Sequence, residues 1–444
     1  MAKLSRRTVL AAGAAGVVGA TAGLALPRQT APRRVALVGT GVRGASLWGR
    51  DLIRNYRGSV ELVGLCDINP GRLEYVKGAI GAACPTFTDF DRMIGATKPD
   101  QVIVTTVDST HHEFIVRAME LGCDVITEKP MTTDEQKCQA IIDAKESTGQ
   151  DLVVTFNYRY SPHRLKMKEL LQSGRIGRLT SVDFNWYLDV YHGAAYFRRW
   201  HGKERFSGSL FVHKACHHFD LLNWWIDSDP ERVYAQGNLE FYGSNGDFRH
   251  SNCRGCPHAE RCEFHWDITK SDTMMRLYVD HEHHDGYLRD GCVWSEEIDI
   301  FDKMGAQIRY ANGVQVTYSC TTYSPYEGYR IAFNGTEGRM EAWVKERQPW
   351  DAPDHDEIRV TDNFGETERI QIPHASGGHG GGDTRMQNRI FGQADADDPF
   401  RQAAGLRDGA MSALTGIAAR KSAKSGEPVE IASLTSLVPH AKRG

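Results

Sequence analysis

Short apolar runs alternate with amphipathic stretches through the first third of the chain. Val35–Val38, Val60–Cys66, Val102–Val107, Val125-Ile126 and Leu152–Phe156 are largely apolar, as strands buried on both faces of a parallel sheet are. The stretches between them have helical spacing. From His111 to Leu121, Ile115, Ala118 and Met119 share one face, and Gly122 supplies a stop. Thr133-Asp134-Glu135-Gln136 has the form of a capping box, opening a helix that ends near Gly149. Such alternation predicts a doubly wound parallel sheet. Beyond about residue 155 the pattern changes to period two. Gln307–Ser319 alternates around Asn312-Gly313, a two-residue hairpin signal. Arg330–Val344 and Glu357–Ile372 read as further hairpins. The expectation is an α/β chain: a Rossmann dinucleotide-binding domain over 31–155, then an α+β domain with an open-faced, mainly antiparallel sheet over 156–444. The second domain carries a polar, cysteine-containing insert at about 245–295.

The first 30 residues follow neither pattern. Ser5-Arg6-Arg7-Thr8 precedes an uncharged run of small and apolar residues over 9–26, and Ala20-Thr21-Ala22 is a small-x-small cleavage candidate. This resembles a bacterial twin-arginine export signal; a membrane anchor and an ordinary secretory signal are the alternatives. The expected location is therefore periplasmic or extracellular, with no stable membrane span after processing. Composition adds little: 444 residues, 41% hydrophobic and 25% charged, are ordinary globular values, too long for one core. A net charge of −4 with no basic stripe argues against nucleic acid as a partner.

Gly39, Gly41 and Gly44 fit G-x-G-x-x-G directly after the first apolar run. The glycines allow a tight turn, close approach of a pyrophosphate and helix–strand packing, with Val42 and Arg43 at the helix start among the expected cofactor contacts. Asp67 ends the next run, placed to bind both hydroxyls of an adenosine ribose. NAD is favoured over NADP; Arg72, close by in sequence, keeps NADP open.

Gly39–Gly44, Asp67, Glu128-Lys129-Pro130, Asn157-Tyr158-Arg159 and His217-His218-Phe219-Asp220-Leu221-Leu222 together resemble the Gfo/Idh/MocA oxidoreductases, over roughly 33–435. The resemblance implies NAD(P)-dependent chemistry on a sugar or glycoside hydroxyl. It implies cofactor contacts from Glu128, Lys129 and Asn157, and a homo-oligomer built through the open-faced sheet. Lys129 and His217 are the candidate catalytic residues, His217 for proton transfer. The family commonly has Asp-x-x-x-His there, whereas this chain has His213 in place of the acid, followed by Lys214. Histidine and lysine at that place add neutral donors or positive charge, suited to anion stabilisation. His213, Lys214, Arg159 and Tyr191 are the expected substrate contacts. Tyr191 belongs to an aromatic, polar stretch with Tyr187, His192 and Trp200, which suits either sugar stacking or core. A satisfied inter-domain hydrogen-bond pair is the alternative for Asn157 and Arg159.

Cys253-x2-Cys256-x5-Cys262, with Cys292 thirty positions on, has thiol spacing suited to structural zinc or an iron–sulfur cluster. Disulfides are the alternative in an exported chain. Export also bears on mechanism. Outside the cytoplasm no nicotinamide pool reoxidises a released cofactor, so NAD bound before export and recycled within each turnover is expected. Transient oxidation by an NAD-dependent glycosidase or epimerase is an alternative chemistry. A non-catalytic nucleotide- or sugar-binding module is the alternative of another class.

Overall fold

Residues Val35–Leu37 are fully buried on both faces, which only a central strand with covered sides allows. In the computed structural model, which describes residues 31–392 and 397–443, they lie in β1 (Arg33–Val38). The export signal expected in the first 30 residues lies outside the described residues. With β1 run β2 (Val60–Cys66), β3 (Thr86–Phe87), β4 (Gln101–Val104), β5 (Asp124–Thr127) and β6 (Leu152–Val154), all pairs parallel in the order β3-β2-β1-β4-β5-β6. The order reverses between β1 and β4, and a ligand crevice opens at the carboxyl ends of strands at such a switch point. The intervening helices include His111–Glu120 and Glu135–Thr148. The second is capped by Asp134, whose carboxylate accepts from the Lys137 amide, and ends at a left-handed Gly149.

The period-two segments form β7 (Leu179–Asp189), β8 (Pro230–Asn238), β9 (Lys303–Tyr310), β10 (Gln315–Ser324), β11 (Glu327–Gly335), β12 (Gly338–Arg347), β13 (His355–Asp362), β14 (Thr367–Pro373) and β15 (Val429–Glu430). They make one sheet in the order β14-β13-β12-β11-β7-β10-β9-β8-β15. Every pair is antiparallel except β7 with β10. The inner face buries Phe184, Trp186, Tyr318 and Phe333. Against it packs the helix Ala215–Ile226, buried along its whole length, through Phe219 on Tyr318 and Trp225 on Phe184 and Phe333. The opposite face is open and carries Tyr326, Trp343 and Trp350 in edge contact.

The insert between β8 and β9 is held by charge and backbone. Asp290 accepts from the Arg254 amide and Nε, both at 3.0 Å, and its carbonyl accepts from the Cys253 amide at 2.8 Å. Arg254 also binds Glu282 at 2.6 Å. The expected zinc or iron–sulfur site is not formed. Cys253, Cys256, Cys262 and Cys292 are free thiols, and no three of them bring their sulfurs within 4.8 Å of one another. The guanidinium of Arg198 donates to the Cys253 sulfur at 3.4 Å, and Cys292 lines the central cavity while acting, with Cys253, on the Cys262 thiol.

Candidate active site

The glycine loop is shaped for close approach. Gly39 has φ +91°, and a Cβ there would lie 2.6 Å from the Thr105 carbonyl carbon; one at Gly44 would lie 2.1 Å from the Gly39 oxygen. From this loop a single cavity of about 1140 Å³ runs past Asp67 to Lys129, Asn157, His213, Lys214 and His217. That is above the range of about 300–1,000 Å³ usual for one small ligand.

Asp67 is buried. Its Oδ2 accepts from the Thr40 amide (2.7 Å) and hydroxyl (2.9 Å), and its Oδ1 from the Asn69 amide (2.9 Å) and, at 3.4 Å, from Arg72. The long Arg72 bond is the one a ribose hydroxyl can replace. Arg72 is held elsewhere, by Asp285 of the insert at 2.7 Å. The insert reaches the loop as well: the Val42 amide donates to the Tyr278 hydroxyl at 3.0 Å.

Glu128 reaches the cavity edge but its carboxylate is engaged, accepting from Arg43 Nε at 2.6 Å and Trp48 Nε1 at 2.7 Å. Burial alone would raise its pKa; Arg43 brings it below the usual value. Arg43 continues to Asp383, which also accepts from Asn157 Nδ2 at 2.7 Å and pairs with His379 Nδ1 at 2.9 Å. Against its own burial, Asp383 is held far below the carboxylate range by His379 and Arg43. Asn157 is left with a buried Oδ1 that has no partner. Such an acceptor, the glycine cradle and Asp67 are the donor and acceptor set a dinucleotide requires.

Lys129 donates to the His213 carbonyl at 3.3 Å, so the amine sits against the helix turn that carries both histidines. The acid missing from the His213 position comes from another strand end: Asp108, after β4, meets His213 Nδ1 at 2.5 Å. Burial pushes the Asp108 carboxyl up and the His213 imidazole down. His217 has no such partner. It stacks on Tyr158 with centroids 4.2 Å apart, and its Nδ1 is unpartnered. Burial, then Lys129 and Lys214, push its pKa well below the usual value, so it is neutral. Lys214 donates to the Tyr158 hydroxyl at 3.0 Å, and burial lifts that phenol to about 12.

Two expected substrate contacts lie elsewhere. Arg159 is buried beneath the site, bound to Asp220 at 2.5 Å and Asp408 at 2.7 Å, so the structural alternative describes it. Tyr191 is 64% exposed and lines a separate depression with His192 and Glu327. Of its aromatic stretch, Trp200 and His192 line the main cavity. Asp108, Tyr158, His379 and Asp383 went unread in the sequence. Asp108 had one signal, an acid just past the β4 run; His379 sits in a glycine tract that carried none.

Residues 33–156 match the family profile GFO_IDH_MocA, "Oxidoreductase family, NAD-binding Rossmann fold", and 168–431 match "Oxidoreductase family, C-terminal alpha/beta domain". The Bacillus subtilis protein YteT, which carries an oxidoreductase name, is 36% identical over 90% of this chain and 98% of its own. Inositol 2-dehydrogenase 3 of Saccharopolyspora erythraea is 32% identical over 43% of this chain and 54% of its own. The crystal structure of an Agrobacterium radiobacter oxidoreductase in complex with NAD+, L-tartaric acid and magnesium superposes with a TM-score of 0.63 at 16% identity, covering 90% of this chain and 99% of that one. With both profiles matched around a dinucleotide-shaped cleft, the chain belongs to the Gfo/Idh/MocA family and is an NAD(P)-dependent oxidoreductase.

Proposed function

We propose that this enzyme oxidises a hydroxyl-bearing carbon of a sugar or glycoside to the carbonyl with an NAD that stays bound, and that the hydride is returned within the same turnover to that carbonyl or to the carbonyl of a second sugar. The observation that carries the proposal is the continuity of one cavity from the glycine loop to Lys129 and the His213–Asp108 pair. The nicotinamide, when bound, takes up and returns the hydride. Lys129, with one hydrogen bond spent on the His213 carbonyl, has donors left for the substrate oxygen. His213 is the proton acceptor of this reading, because Asp108 fixes its ring through Nδ1 and leaves Nε2 for substrate. His217, unsupported by a carboxylate and flanked by two lysines, packs Tyr158 in place and offers a neutral nitrogen. NAD over NADP follows from Asp67 and from the capture of Arg72 by Asp285.

Retention draws support from the insert, whose Tyr278 and Asp285 both cover the glycine-loop and Arg72 side of the nucleotide cleft. It agrees with twin-arginine export of a folded, loaded protein. The open face of the second sheet, with Tyr326, Trp343 and Trp350, is the proposed oligomer surface. Heat-denaturing the purified mature protein and assaying the supernatant tests the central claim. Near one NAD per chain is expected; none would remove the retained-cofactor reading.

A further inference from the structure

Among the described residues, two arginines in the cavity wall form no ion pair with an acid. Arg199 lies over the Tyr196 ring, 5.4 Å from its centroid, and donates to the Ala195 carbonyl. Arg289, from the insert, lies 4.9 Å from the Tyr278 centroid and donates to the Tyr287 hydroxyl at 3.4 Å; its Nε is buried and unpartnered. After burial, the largest influences on Arg199 are Arg289 and Tyr287, Tyr196 and Tyr278, and those on Arg289 are Tyr278 and Tyr287; Asp108, the carboxylate that Arg199 reaches electrostatically, is hydrogen-bonded to His213. Burial, and then Arg289, hold Arg199 down at about 10. Most acids of the same wall are engaged: Asp108 on His213, Glu128 on Arg43, Asp67 and Asp285 on Arg72, Glu297 on Lys203; Glu113 is exposed at the cavity edge. Lys129 and Lys214 are likewise bonded only to neutral oxygens. Lys129 is offset in part by Asp108 and Glu128, and Lys214 by Glu327, whereas Arg199 and Arg289 have no ion-pair partner; guanidiniums so placed are costly in a half-enclosed cavity unless a ligand supplies negative charge.

We propose that Arg199, backed by Arg289, binds an acidic group on the substrate, so that the enzyme acts on a sugar acid such as a hexuronate or its glycoside. Its place favours substrate over the cofactor's pyrophosphate. Arg199 belongs to the segment that wraps His213, through Tyr196 at 5.3 Å and Trp200 at 5.7 Å between centroids. It acts electrostatically on both His213 and Asp108. The pyrophosphate has its own site in the glycine loop. A planar guanidinium takes a carboxylate through two parallel hydrogen bonds, and this fixes the sugar's orientation as well as its charge.

The inference rests on the oxidoreductase reading but not on cofactor retention, so the test supplies saturating NAD. Glucuronate, galacturonate and mannuronate, free and as methyl glycosides, are compared with the parent hexoses for turnover and, by calorimetry, for binding. At least one uronate is expected to exceed its parent by about 10–100-fold in kcat/KM or Kd, the worth of one charge-assisted bidentate contact. Arg199→Met should erase that difference at unchanged NAD content and Tm, and Arg199→Lys should restore part of it. Parity of every uronate with its parent overturns the proposal. So does an Arg199→Met protein that loses NAD while keeping the uronate preference, because the guanidinium would then serve the pyrophosphate. Uronate binding without turnover supports the proposal and sends the failure to the hydride reading.

Discussion

Two groups of cations, one buried in the fold and one lining the cavity, are compensated in opposite ways in this enzyme. Beneath the site, Arg159 is gripped by Asp220 and Asp408, and Arg443 joins Asp408 at 3.1 Å. Burial lifts Asp220 to about 6, while against its own burial Asp408 is brought to about 2 by Arg159 and Arg443. This knot ties the loop after β6 to the helices Ala215–Ile226 and Leu406–Ser425. In the cavity wall, Lys129, Lys214, Arg199 and Arg289 hydrogen-bond to carbonyls and hydroxyls only. A charge answered by the protein's own carboxylates serves the fold; a charge left unanswered at a cavity serves whatever enters it. The two arginines resemble each other in sequence, one after an apolar run and one in an aromatic stretch, and differ only in what tertiary structure places opposite them.

Substitutions on either side of this division should fail in different assays. The largest effect belongs to the cavity: Lys129→Ala should slow turnover on the order of 10²–10⁴-fold with Tm and bound NAD unchanged. Single-turnover rates read from the reduced-nicotinamide absorbance check it, and near-normal turnover would take Lys129 out of the mechanism. In the knot, Arg159→Met leaves the buried Asp220 carboxylate without its guanidinium while Asp408 keeps Arg443, and should cost about 3–5 kcal/mol of stability. Denaturant unfolding measures this; a protein of normal stability that had lost substrate affinity would return Arg159 to the substrate list.

A smaller effect tests the insert's hold on the nucleotide cleft. Asp285→Ala releases Arg72, and roughly tenfold better use of NADP relative to NAD is expected, the worth of one charge-assisted bond. An unchanged ratio would show that Asp67 excludes the 2′-phosphate alone. A further effect, read as stability against pH, concerns the acid pair Asp189–Glu327 against His192. Burial, and then a hydrogen bond with Asp189, raise the Glu327 carboxyl from 4.5 to about 8. Between those values the folded chain holds a proton that the unfolded chain has lost. Its stabilisation is therefore full below about 4.5 and fades as pH rises through 8. Glu327→Gln should flatten the dependence of Tm on pH across that window, and an unaltered slope would remove Glu327 as its source.

Much of the fold and part of the site are legible in the chain because they depend on local rules. Apolar runs of four to seven residues placed β1, β2 and β4; turn residues placed the hairpins β9–β10, β11–β12 and β13–β14; glycine spacing and the acid after β2 placed the nucleotide cleft. Lys129 follows its strand directly, so its position at the carboxyl edge was readable from neighbours alone. What tertiary structure decided is which charges meet. Asp108 and His213 are 105 positions apart and hydrogen-bonded; Asp383 reaches back across 340 positions to Arg43; Asp290 holds the insert through Arg254. Hydrophobic periodicity is written residue by residue, because each side chain's preference for burial is its own. Ion pairing is not, because a guanidinium or carboxylate has no preferred partner until the packing of strands and helices removes water from between two of them.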